Sequence, residues 1–400
     1  MALIYDPRRP DVIADPYPTF RRLQAADPVH WSEVLGGWVL TRYADVKAAL
    51  NDPRLSSDRI TPFLRHQDGS GRPALGELGR IVGLWAVFTD PPKHTRLRAL
   101  MNTAFTTRAV ERLRPRVVAI VDELLERAAG AGAMDVIRDF AYPLPITVIA
   151  GMIGVPAADR EPFKAWSDEL AQFVGSALAR PDKYERAGRS LAAMADYFRR
   201  MIPPRRARPQ DDIMSALIAA EERGDALSED ELVATCILLL FAGHETTTNL
   251  IGNGVLALLR HPEQARALRE EPALTQPGVE ELLRYDGPTQ AMVRVAREGV
   301  DIGGRAVKPG DRVFTMINAA NRDPEQFAEP DRLDLARQNN RHIAFGYGIH
   351  FCIGAPLARL EAQIAVPALV ARFPDMRLAG EPPWLESLVF RGVTSLPVTL

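Results

Sequence analysis

The sequence predicts a mainly α chain with a smaller β region. Three observations carry that expectation. Apolar residues recur at helical spacing through most of the 400 residues. Strand-like stretches are few and short. One long helix announces its start with a capping box, Ser228 followed by Glu231, in which each side chain can satisfy an orphan backbone donor of the first turn.

In chain order, 42–50 and 93–105 read as helices, the second opened by Asp90 as a cap and by Pro91-Pro92. Thr107 to Ala129 repeats Val110, Leu113, Val117, Ile120, Val121, Leu124 and Leu125, the stripe of one helix with one buried face. Segments 159–180, 184–201, 211–222 and 355–373 share that period. Ser228 to Arg260 is the longest helix, ~50 Å at 1.5 Å per residue, and its apolar length should carry it through the middle of the protein. Strands are expected at Val29–Trp31, Trp38–Leu40, Arg294–Val295, Val300–Ile302 and Arg312–Met316, with a last piece near Val393–Leu400. Gly303-Gly304 and Pro309-Gly310 supply turn chemistry between the later strands. Pro203 to Pro209 reads as an exposed connector too short to divide the chain, so residues 1–400 are expected to form one domain with small sheets near the N-terminus and in 294–400.

Charge and cysteine usage narrow the partners. The balance of 49 basic against 51 acidic residues argues against nucleic acid or a membrane surface. Asp6, Arg8 and Arg9 interrupt any N-terminal apolar run, and no stretch of ~20 apolar residues occurs. A cytoplasmic protein without a membrane anchor is the expectation. Two cysteines are too few for a disulfide framework. Cys236, inside an apolar helical run, reads as a core residue.

Cys352 sits differently. It lies in Phe345-Gly346-Tyr347-Gly348-Ile349-His350-Phe351-Cys352-Ile353-Gly354, where the glycines permit a tight loop and close approach to something bulky. A helix follows, and its N-terminal dipole and free N–H groups favour a thiolate. The central helix has an oddity of its own, the polar run His244 to Asn249. Hydroxyls buried there either bond back to the preceding turn or serve a purpose.

The pattern Phe345-Gly346-x-Gly348-x-His350-x-Cys352-x-Gly354 resembles the haem-binding loop of the cytochrome P-450 family, soluble bacterial type. The resemblance runs from Asp15-Pro16-Tyr17 to Leu396-Pro397. It implies the P-450 fold, with haem b between the long central helix and the cysteine-loop helix and Cys352 as axial ligand of the iron. It implies that Glu281 and Arg284 form a buried structural pair joined by Arg332. Ala242-Gly243-His244-Glu245-Thr246 is similar to the oxygen-activation motif, which assigns Ala242 and Gly243 to an oxygen groove and Glu245 and Thr246 to proton delivery. Thr247 and Thr248 are left to back-bonding. His94, Arg98, Arg294 and His350 match the propionate-binding positions.

The activity so implied is monooxygenation, the hydroxylation or epoxidation of a mainly hydrophobic small molecule by dioxygen. A non-catalytic haem-thiolate sensor or carrier is the alternative, disfavoured by Glu245-Thr246. No flavin or iron–sulfur segment is present, so electrons are expected from a separate ferredoxin and its NAD(P)H-dependent reductase, acting on a monomer. Arg96, Arg108 and Arg359 are candidates for attracting the ferredoxin. Pocket segments around 60–88, 163–185 and 288–292, the face of Leu238-Phe241-Ala242 and the stretch around Phe390 offer Phe63, Leu84, Trp85, Val87, Phe88, Leu238, Phe241, Met292 and Phe390. Arginines near 59–72 would hold a carboxylate if that loop folds inward.

Overall fold

A computed structural model describes residues 3–61, 73–102, 104–175, 182–222 and 227–400. Helices dominate. The central one, Glu229–Arg260, begins with the capping box: Ser228 Oγ accepts from the Glu231 N–H at 3.2 Å, and Glu231 Oε2 accepts from the Ser228 N–H at 3.0 Å. Nearly every residue between Glu231 and Leu258 is buried, because helices Pro143–Ile153, Lys183–Ala207, Thr275–Asp286 and Ala355–Arg372 pack around it. No described helix is long and apolar enough to cross a membrane.

The largest sheet runs β1-β2-β8-β5-β3, from β1 (Val29–Ser32), β2 (Gly37–Leu40), β3 (Leu55–Ser56), β5 (Ala291–Ala296) and β8 (Arg312–Met316). Only β2 and β8 are parallel; β5 pairs antiparallel with β8 in the register Arg294 to Val313. β4 (Ala133–Asp135), β10 (Pro397–Thr399) and β9 (Arg377–Leu378) make a second sheet. β6 (Val300–Ile302) and β7 (Arg305–Val307) form a hairpin whose turn, Gly303 at φ 57° and Gly304 at φ 77°, needs two left-handed residues.

Several elements differ from the sequence expectation. The stripe from Thr107 to Ala129 is two helices, Thr107–Glu111 and Arg114–Ala128. Pro115 causes the break, since its ring and missing N–H are tolerated in a first turn and not in a helix interior. The supposed connector at 203–209 is mostly helix, running to Ala207. Arg205 anchors it, reaching Asp212 and the Gly154 carbonyl at 2.7 Å each. Asp90 does not cap the helix Lys93–Asn102. Its carboxylate instead accepts from the Ser57 N–H at 3.0 Å, from Ser56 Oγ and from Arg297. β4 was not anticipated; three residues form a strand there because Met134 meets Val398 across the fold.

Candidate active site

The cysteine loop is built by backbone geometry. Gly346 and Gly348 both adopt φ 74°, the left-handed region that L side chains avoid. A Cβ on Gly348 would also lie 2.8 Å from Asn51 Oδ1. Gly354 needs no such freedom, and Cys352 Sγ lies 3.9 Å from where its Cβ would be. The Cys352 N–H donates to the Phe345 carbonyl at 2.9 Å, closing the loop before helix Ala355–Arg372. Phe345 is buried under the loop, with the Arg359 guanidinium stacked 4.5 Å over its ring.

Cys352 faces a cavity whose opposite wall is the central helix, through Leu238, Phe241, Ala242, Gly243, Glu245 and Thr246. Strand β5 adds Met292 and Arg294, two apart and so on one face. Helix Lys93–Asn102 adds His94 and Arg98, four apart on one face, while Val87 comes from the short 3-10 turn Ala86–Phe88 and Phe390 from the C-terminal segment. The residues nominated in sequence thus converge, Leu84 excepted. Leu84 packs against the main core and does not line the cavity. Residues 62–72, with Phe63, Arg65 and Arg72 among them, and residues 176–181 of the nominated pocket segments lie outside the described residues.

Burial decides the thiol's protonation. Desolvation pushes the Cys352 pKa up, against the pull of the Gly354 and Ala355 N–H groups, Arg98 and Arg359. The helix N-terminus favours the thiolate as expected, but burial outweighs it. A coordinated metal ion would reverse that balance. Cys236 is fully buried and its pKa is likewise raised by desolvation, as suits a core residue.

The central helix shows which polar residues bond back. Thr246 Oγ1 donates to the Ala242 carbonyl at 3.1 Å and Thr247 Oγ1 to that of Gly243 at 3.4 Å. Thr248 does not; its buried hydroxyl has no partner among the described residues. Glu245 accepts from Asn249 Nδ2 at 3.3 Å, and burial, with Asp168 adding, raises its pKa to about 7. Gly243 serves packing as well as the cavity, since a Cβ there would lie 2.7 Å from Ile149 Cγ1. Ala242 is the small residue that exposes its side to the cavity.

Basic groups collect at one end of the cavity. His94 and His350 lie with ring centroids 4.1 Å apart, and Ser57 Oγ meets His350 Nε2 at 2.9 Å. His94 Nε2 is buried without a partner among the described residues. Among the described residues Arg294 Nη1 reaches only the Val293 carbonyl, at 3.1 Å, and Arg98 donates to the Phe351 carbonyl. Burial, then Arg294, pushes His350 down to about 3; burial also pushes Arg294 down to about 10. Buried donors with so little acid nearby are costly unless an anion answers them. A flat cofactor with a central metal for Cys352 and carboxylates on one edge meets both requirements, so the residues present fit a haem.

The structural pair is correct and its third member is not. Glu281 and Arg284 are fully buried, paired at 2.7 and 2.8 Å. The remaining Arg284 donors reach the carbonyls of Asn321, Pro330 and Arg332. It is Arg337, not Arg332, whose guanidinium completes the triad, with Nε 3.0 Å from Glu281 Oε1. Arg332 contributes only its carbonyl, and its exposed side chain pairs with Glu329 at 3.2 Å. Two arginines five apart in one meander cannot be told apart by residue type; the turn between them decides. Two of the three candidate ferredoxin-docking residues are also engaged internally. Arg96 binds Glu231 at 2.6 Å, and Arg359 binds Glu280 at 2.7 Å. Burial would raise Glu280, but Arg359 and His342 hold its pKa down to about 2. Arg108 is exposed.

A lone thiol facing the small residues of a long helix across an apolar cavity defines a haem-thiolate class of oxidoreductase. Residues 39–383 match the family profile described as Cytochrome P450, and the chain belongs to that family. It is 43% identical over 401 residues to the cytochrome P450 monooxygenase PikC of Streptomyces venezuelae, covering 97% of this chain and 92% of that protein. It is 42% identical over 395 residues to a vitamin D(3) 25-hydroxylase of Pseudonocardia autotrophica, covering 96% and 94%. The solved structure of the Bacillus subtilis bacillaene polyketide synthase cytochrome P450 PksS superposes with a TM-score of 0.89 at 38% identity, covering 99% of this chain and 100% of that one. The chain is therefore a P450 oxidoreductase of the bacterial monooxygenase kind, a haem-binding family whose members use redox partners.

Proposed function

We propose that residues 1–400 act as one catalytic unit that hydroxylates or epoxidises a mainly hydrophobic small organic molecule. The observation that carries this reading is that Cys352 and the Ala242–Thr246 turn line the same apolar cavity from opposite sides. Haem b, held through the Cys352 thiolate, would supply the activation of dioxygen. His94, Arg98, Arg294 and His350 would hold its two propionates, each gaining the anion it lacks. Phe345 closes the loop through its carbonyl, and the Gly354 N–H acts on the Sγ that the loop presents.

The chain's own residues then manage protons and water. Glu245, with its pKa near 7, can hold a proton on its carboxyl at neutral pH and release it inward. Thr246 Oγ1 can pass that proton on, because turning the hydroxyl away from the Ala242 carbonyl costs one weak bond. Leu238, Phe241, Met292 and Phe390 exclude water and receive the apolar body of the substrate. A sensor or carrier has no use for a buried carboxyl poised near neutrality.

Electrons come from a ferredoxin and an NAD(P)H-dependent reductase, which places the reaction in the cytoplasm. Arg108 is the remaining exposed member of the proposed docking set. The absorption spectrum of the reduced, CO-bound protein tests the assignment. The wild type is expected to give the strongly red-shifted Soret band of a thiolate ligand, and Cys352→Ser to lose it. An unshifted band in haem-loaded wild type would overturn the reading.

A further inference from the structure

We propose that Arg59 is a specificity-determining residue and that the preferred substrate is an amphiphile, an apolar body ending in a carboxylate that pairs with the Arg59 guanidinium. The inference rests on the haem-monooxygenase reading of the cavity and adds the substrate class.

Arg59 lines the cavity together with Trp85, Phe88 and Phe241. Its guanidinium carbon lies 4.6 Å over the Phe88 ring. Stacking of that kind holds the group in plane and leaves its N–H edge to grip a carboxylate with two parallel bonds. Among the described residues no carboxylate pairs with it. Asp90, the acid at this end of the cavity, is already taken by Ser56, the Ser57 N–H and Arg297. The electrostatic surroundings agree: burial, with Arg294 adding the same sign, pushes the Arg59 pKa down to about 10.

Haem propionates do not account for this charge. A haem brings two carboxylates, and His94, Arg98, Arg294 and His350 already converge on that edge. Arg59 therefore adds a cation to a set of donors that two carboxylates can satisfy.

What lies behind the cation gives the shape of the ligand. Phe88 stacks on Trp85 with centroids 5.9 Å apart, Trp85 on Phe241 at 5.8 Å, and Phe241 meets Phe390 edge-on at 6.2 Å. This aromatic wall runs from Arg59 to the central helix at Ala242 and Thr246, where chemistry would occur. A neutral ligand filling it would strand the guanidinium in a dry, apolar surrounding without an anion. A carboxylate removes that penalty and fixes which end of the molecule faces the helix.

Isothermal titration calorimetry on the haem-loaded protein, with decanoate and decan-1-ol as matched probes, tests the proposal. Wild type should bind decanoate about tenfold or more tighter than the alcohol, the ratio of one charge-assisted pair. Arg59→Gln should erase that ratio while leaving decan-1-ol binding within about twofold, and Arg59→Lys should restore part of it. The rate of haem transfer to apomyoglobin, measured on the same proteins, separates the two carboxylate sources. It should be unchanged in Arg59→Gln. The proposal is overturned if wild type shows no preference for the carboxylate, including by binding neither probe. It is equally overturned if the preference survives in Arg59→Gln, or if that variant loses haem faster, which would put the guanidinium on a propionate. The reduced CO spectrum of Arg59→Gln distinguishes these failures from failure of the haem-thiolate reading, since the shifted band persists only if that reading stands.

Discussion

Replacing Glu245 by glutamine should remove a pH-dependent loss of stability that the wild type carries. Burial raises the Glu245 pKa from 4.5 to about 7, so the folded chain holds this proton more tightly than the unfolded one. Below pH 4.5 the carboxyl is neutral in both states and costs nothing. As pH rises toward 7 the unfolded state ionises first, and the folded state loses stability by up to about 1.4 kcal/mol per unit of pKa difference, or about 3 kcal/mol in all. Above pH 7 the penalty is constant. Glutamine keeps the shape and the neutral charge at every pH. The variant should lie within about 1 kcal/mol of wild type at pH 5 and exceed it by about 3 kcal/mol at pH 8. With an unfolding entropy of about 0.8 kcal/mol/K for a chain of this length, the difference is about 4 °C in Tm at most. Differential scanning calorimetry of both haem-loaded proteins at pH 5, 6, 7 and 8, at one scan rate, measures it. A Tm difference that stays flat across that range would refute the burial argument and, with it, the poise of Glu245 for proton transfer.

Two further outcomes follow from packing. Arg337→Ala leaves Glu281 buried with part of its charge unanswered and should cost about 3–5 kcal/mol in urea unfolding; Arg332→Ala removes an exposed pair and should stay within about 1 kcal/mol. Equal losses would show that the triad is misassigned. Gly243→Ala drives a Cβ into Ile149 and should cost about 1–3 kcal/mol, with Ile149→Ala in the same chain recovering part of it; additive losses from the two changes would refute direct contact.

Much of the site was legible in the sequence because its chemistry depends on residue type at short spacing. A cysteine framed by glycines, an acid beside an alcohol in an apolar helix, and a Glu and an Arg three apart each mark themselves locally. Helix existence was legible for the same reason, from the 3.6-residue period and from the Ser228–Glu231 box. Where the reading missed, a distant partner or a local breaker prevailed. Pro115 split one helix, Arg205 extended another over two prolines, and Val398 made a strand of residues around Met134.

The sequence by itself pointed to the family, the helical class, the cysteine proposed to hold an iron, and the residues proposed for proton delivery. These follow from motifs a few residues long, whose meaning does not depend on how the remote parts of the chain pack. Only the tertiary structure decided which charges are spent inside the fold and which face the cavity. It gave the buried triad to Arg337 over Arg332, and tied Arg96 and Arg359 to glutamates on other helices. It turned Arg59 inward over Phe88. A guanidinium on a long flexible stem can reach many partners, and which it meets is set by the three-dimensional arrangement of acids and rings around it.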